Sequence, residues 1–168
     1  MWARSSVFFA LVLAVQPPAP KVLSRGPVAV YEQACARCHG PNGSFYGPDL
    51  GKGKTDPQLY KAVQDMADNQ GQIELSSVEV EAQTAYHRAI IKREPFLAIT
   101  GRTKTELRGE VTARSSVTVT VAGSPQKVRT ERFTWIATLT GTGPICVMAK
   151  LKNTETRLDP DKASHSHS

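Results

Sequence analysis

The sequence predicts a mainly α first part of three or four helices, followed by a small all-β module folded as an antiparallel sandwich. Three observations lead there. Apolar residues recur at helical spacing between Val28 and about Arg93. After Glu106, β-branched residues alternate with polar ones between turn-like clusters. The stretch from Glu94 to Arg102 separates the two patterns and contains Pro95, which stops a helix. At 168 residues the chain can hold two small domains. Their expected bounds are 24–96 and 103–153, with a signal peptide over 1–20 and a flexible tail over 154–168.

The signal comes first. Arg4 precedes Val7 to Val15 (VFFALVLAV), an apolar run of the length of a signal-peptide core and too short to span a bilayer comfortably. A Sec-type signal is expected, with an uncleaved anchor as the alternative, because Gln16-Pro17-Pro18-Ala19-Pro20 holds no clean small-x-small cleavage pattern. The protein is then periplasmic or otherwise exported, and meets a membrane only if the signal stays on.

A first helix is expected over Val28–Ala36, followed by a loop from Gly40 to Gly53 that holds Pro41, Gly43, Gly47, Pro48 and Gly51. A second helix is expected over Asp56–Asp68, with Pro57 tolerated in its first turn and Leu59, Tyr60, Val63 and Met66 on one stripe. The third begins at Ser76 or Ser77, has Glu79 in its first turn and runs to about Arg93. Its inner face comprises Val78, Val80, Ala82, Ala85, Tyr86, Ala89 and Ile90, and His87 is taken as an exposed or capping residue.

Strands are expected over Leu107–Thr112, Ser116–Ala122, Lys127–Phe133, Thr134–Thr140 and Ile145–Leu151. Val117, Val119 and Val121 should face inward, with Thr118 and Thr120 outward. The apolar, β-prone setting of Cys146 and Met148 marks both as core residues. The ending Ala163-Ser164-His165-Ser166-His167-Ser168 is small and polar, with nothing to bury.

The run Cys35-Ala36-Arg37-Cys38-His39-Gly40 carries the chemistry. Two cysteines separated by two residues, with a histidine directly after the second, suit covalent haem attachment: two thiols reach two vinyl groups, and the imidazole lies under the iron. A zinc site needs more Cys or His at ligand spacing, and the one remaining cysteine is the distant Cys146. A thioredoxin-like dithiol needs a βαβ setting, which does not surround this motif. One covalently attached haem c is therefore the expected cofactor. Cys35 and Cys38 supply its thioethers and His39 is an axial iron ligand.

Around this motif the chain resembles class I c-type cytochromes over about residues 24–94. Tyr31 stands four residues before Cys35; Cys35, Cys38, His39 and Gly40 follow; then Gly47, Pro48 and Leu50 match a Gly-Pro-x-Leu loop. Leu75-Ser76-Ser77-Val78-Glu79-Val80 before Ala85-Tyr86 is similar to the family's closing helix. Pro27 stands where many members have glycine, and no proline follows Met66.

The resemblance implies a mainly α cytochrome c fold around haem, with Met66 as the sixth iron ligand. It also implies that the Pro48 carbonyl accepts a hydrogen bond from the second ring nitrogen of His39. Such a protein exchanges single electrons with a redox partner, whether dehydrogenase, reductase or oxidase. It is not itself an enzyme, and the sequence offers no nucleophile–base set, phosphate-cradling loop or paired-carboxylate signature. The alternatives are a relay or docking subunit of a larger dehydrogenase, and an open-site haem enzyme or gas sensor.

Formal net charge is +6. The excess lies in Arg102, Lys104, Arg108, Arg114, Lys127, Arg129 and Arg132, which could form a docking surface or simply a solvated sheet face. Nucleic acid is not an expected partner of an exported haem protein.

Overall fold

A computed structural model describes residues 23–162. The expected signal peptide and the terminal histidine-rich stretch lie outside the described residues. Helix α1 (Pro27–Val30) runs through a π-helical turn (Tyr31–Cys35) into α2 (Ala36–His39). A short 3-10 turn (Pro41–Gly43) opens the loop that leads to α3 (Asp56–Met66), itself extended by a second π turn (Ala67–Gly71). Helix α4 (Ser77–Lys92) is the longest.

Local chemistry explains the starts and stops. Thr55 and Gln58 form a capping box on α3, and Ser76 and Glu79 form one on α4, so each helix start has orphan N–H groups satisfied by side chains. Arg93 takes a left-handed conformation (φ 58°) that ends α4 two residues before Pro95. The start of α1 has no side-chain cap at Gly26. Instead the carboxylate of Glu110, from the β part, accepts hydrogen bonds from Val28 N (2.7 Å) and Ala29 N (3.2 Å). A Cβ on Gly26 would lie 1.9 Å from Glu110 Oε1, which is why glycine stands there.

Eight strands follow: β1 (Leu97–Arg102), β2 (Glu106–Val111), β3 (Ser116–Val121), β4 (Ser124–Pro125), β5 (Lys127–Glu131), β6 (Thr134–Thr138), β7 (Ile145–Leu151) and β8 (Thr154–Leu158). They form two four-stranded sheets of order β1-β2-β6-β5 and β4-β3-β7-β8, with all pairings antiparallel. One buried cluster draws from both sheets, including Leu107 and Trp135 from the first and Val119 and Val147 from the second. Trp135 lies against Gly109, where a Cβ would come 2.6 Å from the indole and 1.9 Å from the Ala98 carbonyl oxygen.

The expectation of a mainly α cytochrome fold is overturned. Helix accounts for 34% and strand for 30%, with the strands in two antiparallel sheets. A π turn divides the first helix into two four-residue pieces, and the stretch from Gly40 to Thr55 contributes only a three-residue 3-10 turn. Three strands also fall where none was expected: β1 in the supposed linker, the two-residue β4 between two expected strands, and β8 in the supposed tail.

Side-chain placement differs in two further places. Cys146 and Met148 are half-buried on the face of β7 opposite Ile145, Val147 and Ala149, so neither belongs to the shared core. Arg157 Nε instead donates to Cys146 Sγ at 2.8 Å. His87 is 2% exposed, which corrects its reading as a surface residue.

The helical and β parts meet through Val28, Tyr31, Tyr86 and Ala89 packed with Phe96 and Ala98. Leu59, Val63 and Val80 form a separate small cluster between α3 and α4. Among the described residues no helix is long and apolar enough to cross a membrane.

Candidate functional site

The π turn and α2 carry the motif. Cys35 and Cys38 are free thiols three residues apart on a continuous helical path, so they lie on one side of it about a turn apart. Cys35 is half-buried against the cluster around Val28 and Tyr31, while Cys38 is exposed. Burial, and secondarily the neighbouring Cys38, pushes the Cys35 thiol up.

Gly40 ends the helix with φ 73° and lets the chain fold back sharply. A Cβ there would meet Ser44 Oγ at 2.3 Å and the Phe45 ring at 2.8 Å. The returning loop is held by Phe45 N donating to the His39 carbonyl at 2.9 Å and by Tyr31 Oη donating to the Gly40 carbonyl at 3.3 Å.

This fold-back gathers aromatic rings around His39. Its imidazole meets Tyr46 edge-on with centroids 4.9 Å apart, and His87 lies 6.2 Å away with its plane at 90°. Tyr46 Oη is hydrogen-bonded to His87 Nδ1. Tyr31 packs edge-on against both Tyr86 (5.1 Å) and His87 (5.3 Å).

Burial dominates the electrostatics of this group. It lowers the pKa of His39, and it lowers that of His87 to about 3 with a smaller contribution from His39 nearby. Both imidazoles are therefore neutral at pH 7, the form that ligates a metal. Burial likewise pushes the Tyr31 and Tyr46 phenols upward, so both keep their protons.

The residues singled out from the sequence are only partly brought together. Cys35, Cys38 and His39 share one helical stretch. Met66 ends α3 half-buried against the Leu59, Val63 and Val80 cluster, a packing role. Pro48 lies in a turn beside a groove also lined by Tyr46, Leu50, Ile90, Arg114 and Lys152. Among the described residues, the His39 ring makes no hydrogen bond to the Pro48 carbonyl.

Sequence reasoning passed over Tyr46 and read His87 as an exposed or capping residue rather than a buried one. His87 lies one position beyond the Tyr86 of the helix stripe, and its partner is 41 residues away in the chain, so no local spacing marks the pair.

The donor set fits haem c. Two reduced thiols and an adjacent neutral imidazole stand together, and the loop directly after them exposes apolar surface. Phe45 is 71% and Leu50 45% exposed, and together with Ile136 they are the large hydrophobic side chains left exposed among the described residues. A porphyrin face would cover such surface. Among the described residues, no group of three or more His, Cys, Asp or Glu forms a site for a bare metal ion. No family model, curated protein or solved structure matches the chain.

Proposed function

We propose that this protein is an exported one-haem electron carrier, with haem c held by Cys35 and Cys38 and its iron ligated by His39. The observation that carries it is the sequence Cys35-Ala36-Arg37-Cys38-His39, with both cysteines free and His39 half-buried and neutral beside them. Attachment needs no oxidant: each thiol adds across one vinyl group, a carbon–sulfur bond forms, and the thiol hydrogen ends on the other vinyl carbon.

Bound haem supplies one-electron exchange at iron. The chain would retain it covalently, keep the iron ligand neutral and set half-buried Tyr46 and buried His87 beside that ligand. The partner is a redox protein, whether dehydrogenase, reductase or oxidase, that meets the chain near its exposed apolar loop. Phe45 and Leu50 supply contact surface there.

The resemblance to c-type cytochromes would put Met66 on the sixth coordination site. Its packing among Leu59, Val63 and Val80 favours a second reading, in which Met66 is a core residue and another group, or a small exogenous ligand, takes that site.

The test is maturation in a bacterial host that attaches haem c in its periplasm. Extraction of the denatured protein with acidified acetone should leave one haem per chain, and the Cys35→Ala/Cys38→Ala variant should retain none. A colourless wild-type chain would refute the proposal.

A further inference from the structure

We propose that the groove between the helical and β parts is a docking site for an acidic segment of a partner protein that carries apolar anchor residues. The groove has a volume of about 880 Å³ and opens to solvent. Half-buried Tyr46, Ile90 and Leu151 line it, with exposed Leu50 beside them. The loop that carries Tyr46 and Leu50 lies directly on α4. A Cβ on Gly43 would come 2.4 Å from Ile90 Cγ2, and one on Gly51 2.5 Å from Ile91 Cδ1. Glycine at both positions permits this close approach, so the loop and α4 present one apolar surface.

Three separate connections bring a cation to that surface. Arg93 ends α4, Arg114 lies between β2 and β3, and Lys152 lies between β7 and β8; all three are exposed and line the groove. Among the described residues none of the three has an ion pair, whereas Arg25, Arg88 and Arg102 meet the carboxylates of Glu79, Asp56 and Asp161. Glu94 is the one acidic residue among those that line the groove. Unpaired cations gathered beside an apolar floor repel one another and gain by meeting carboxylates. Arginine clusters are a recurring means of reading acidic motifs.

An open groove does not enclose a small ligand as a pocket does, which favours a segment of a larger partner. Residues 1–22 and 163–168 contain no Asp or Glu, so the chain's own ends supply no acidic side chain. A second copy is disfavoured by the formal net charge of +6. Cys35, Cys38 and His39 do not line the groove, so it is distinct from the attachment motif. Tyr46 belongs to both places: it packs on His39 and lines the groove. A docked segment would therefore lie one ring away from the proposed iron ligand. That consequence alone rests on the haem reading; the docking itself does not.

The test is fluorescence anisotropy of three dye-labelled synthetic peptides with the full chain, matured in the haem-attaching host. The first peptide alternates glutamate with leucine, the second has lysine in place of glutamate, and the third has serine in place of leucine. The chain should bind the first with an affinity that falls as salt is added. It should bind the third at least about tenfold more weakly, because the apolar contact is gone, and the second not at all. Arg93→Glu/Arg114→Glu/Lys152→Glu should weaken the first peptide at least about tenfold and confer binding of the second. Leu50→Ser should weaken the first peptide without altering its salt dependence. Lys127→Glu/Arg129→Glu, on β5 and outside the groove, should leave the order of preference unchanged.

Failure of the glutamate–leucine peptide to bind would overturn the proposal. An equal loss in the β5 and groove variants would do the same, since it would show only general charge attraction. Binding by a haem-free Cys35→Ala/Cys38→Ala chain that the haem-loaded chain lacks would put the porphyrin in the groove instead. A dimer in sedimentation that Leu50→Ser dissociates would put a second copy there. The three peptides and the salt series on wild type decide the matter even if the groove variant folds poorly. A colourless chain that still binds the glutamate–leucine peptide would refute the haem reading and leave the docking site standing.

Discussion

The two parts of the molecule close their cores to different degrees. In the β part, thirteen buried side chains from both sheets form one cluster, centred on Leu107, Trp135 and Val147. The helical part has two small clusters, one of which borrows Phe96 and Ala98 from the β side, and it leaves Phe45 and Leu50 in solvent. This part buries one neutral imidazole, His87, and half-buries another, His39, while Phe45 and Leu50 stay exposed. The contrast teaches that the β part is held by one core shared between its sheets, whereas the helical part rests on two smaller clusters, to which the proposed haem would add apolar surface.

The strongest way to break this contrast is to prevent attachment of the proposed haem. In Cys35→Ala/Cys38→Ala, haem retention should fall from one per chain to none. The helical part should then melt well below the β part, seen as two transitions by circular dichroism and as loss of dispersed amide resonances confined to residues 27–92. A single transition at the wild-type temperature would mean the helical part is self-sufficient.

Perturbing the β core should act in the opposite sense. Trp135→Ala removes the largest fully buried side chain and should cost about 3–5 kcal/mol, read from the denaturant midpoint. Because Gly109 has no Cβ and lies under that indole, Gly109→Ala should be damaging too: its methyl would meet the Ala98 carbonyl at 1.9 Å, backbone that has little room to give. With β2 disrupted, the helical part should also loosen, since Glu110 of that strand serves the start of α1.

Glu110 tests the coupling between the parts directly. Glu110→Ala leaves the N–H groups of Val28 and Ala29 without their acceptor and should cost about 1–3 kcal/mol. Glu110→Gln keeps an acceptor oxygen and should be milder. Burial raises the pKa of this carboxyl despite its two backbone hydrogen bonds. A folded value above the unfolded one means that the associated stability is present at acidic pH and is lost as pH rises through the folded value. Glu110→Gln should abolish that slope in a series of denaturation midpoints from pH 4 upward.

Features that depend on near neighbours were legible in the sequence. Ser76 and Glu79 are three residues apart, and the start of α4 follows from them. Val117, Val119 and Val121 alternate with threonine, and all three are buried. The cysteine pair and His39 are contiguous, so the candidate attachment site was visible too.

What was not legible depends on distant contacts. Strand β8 (TETRL) is polar and becomes a strand only because β7 offers it an edge. β1 follows a proline and contains Gly101, over which the Arg108 side chain lies, so it has the marks of a linker until it pairs with β2. The π turns shift the helical register locally, and no residue pattern announces them. Tyr46 and His87 meet only because the loop after Gly40 folds back onto α4. Glu110 lies in β2 and serves Val28 and Ala29 more than eighty residues earlier, so nothing near it in the chain marks its burial.

The smallest expected effect lies at the junction of the N-terminal segment with α4. Arg25 Nε and Nη2 donate to the Glu79 carboxylate at 2.6 and 2.9 Å, and Ser76 also donates to it. The Arg25 hydrogen bond, foremost among these, lowers the Glu79 pKa to about 2. A folded value below the unfolded one makes the contribution present above pH 4.5 and lost as pH falls toward 2. The guanidinium side chain is 45% exposed, so solvent screening limits the contribution to about 1 kcal/mol. Arg25→Ala should lower stability by that amount at pH 7 and by almost nothing at pH 2. The effect should shrink with added salt, whereas that of Trp135→Ala should not. Because the pair stabilises only the helical part, Arg25→Ala should lower its melting transition and leave that of the β part in place; an equal shift of both transitions would mean that the two parts unfold as one.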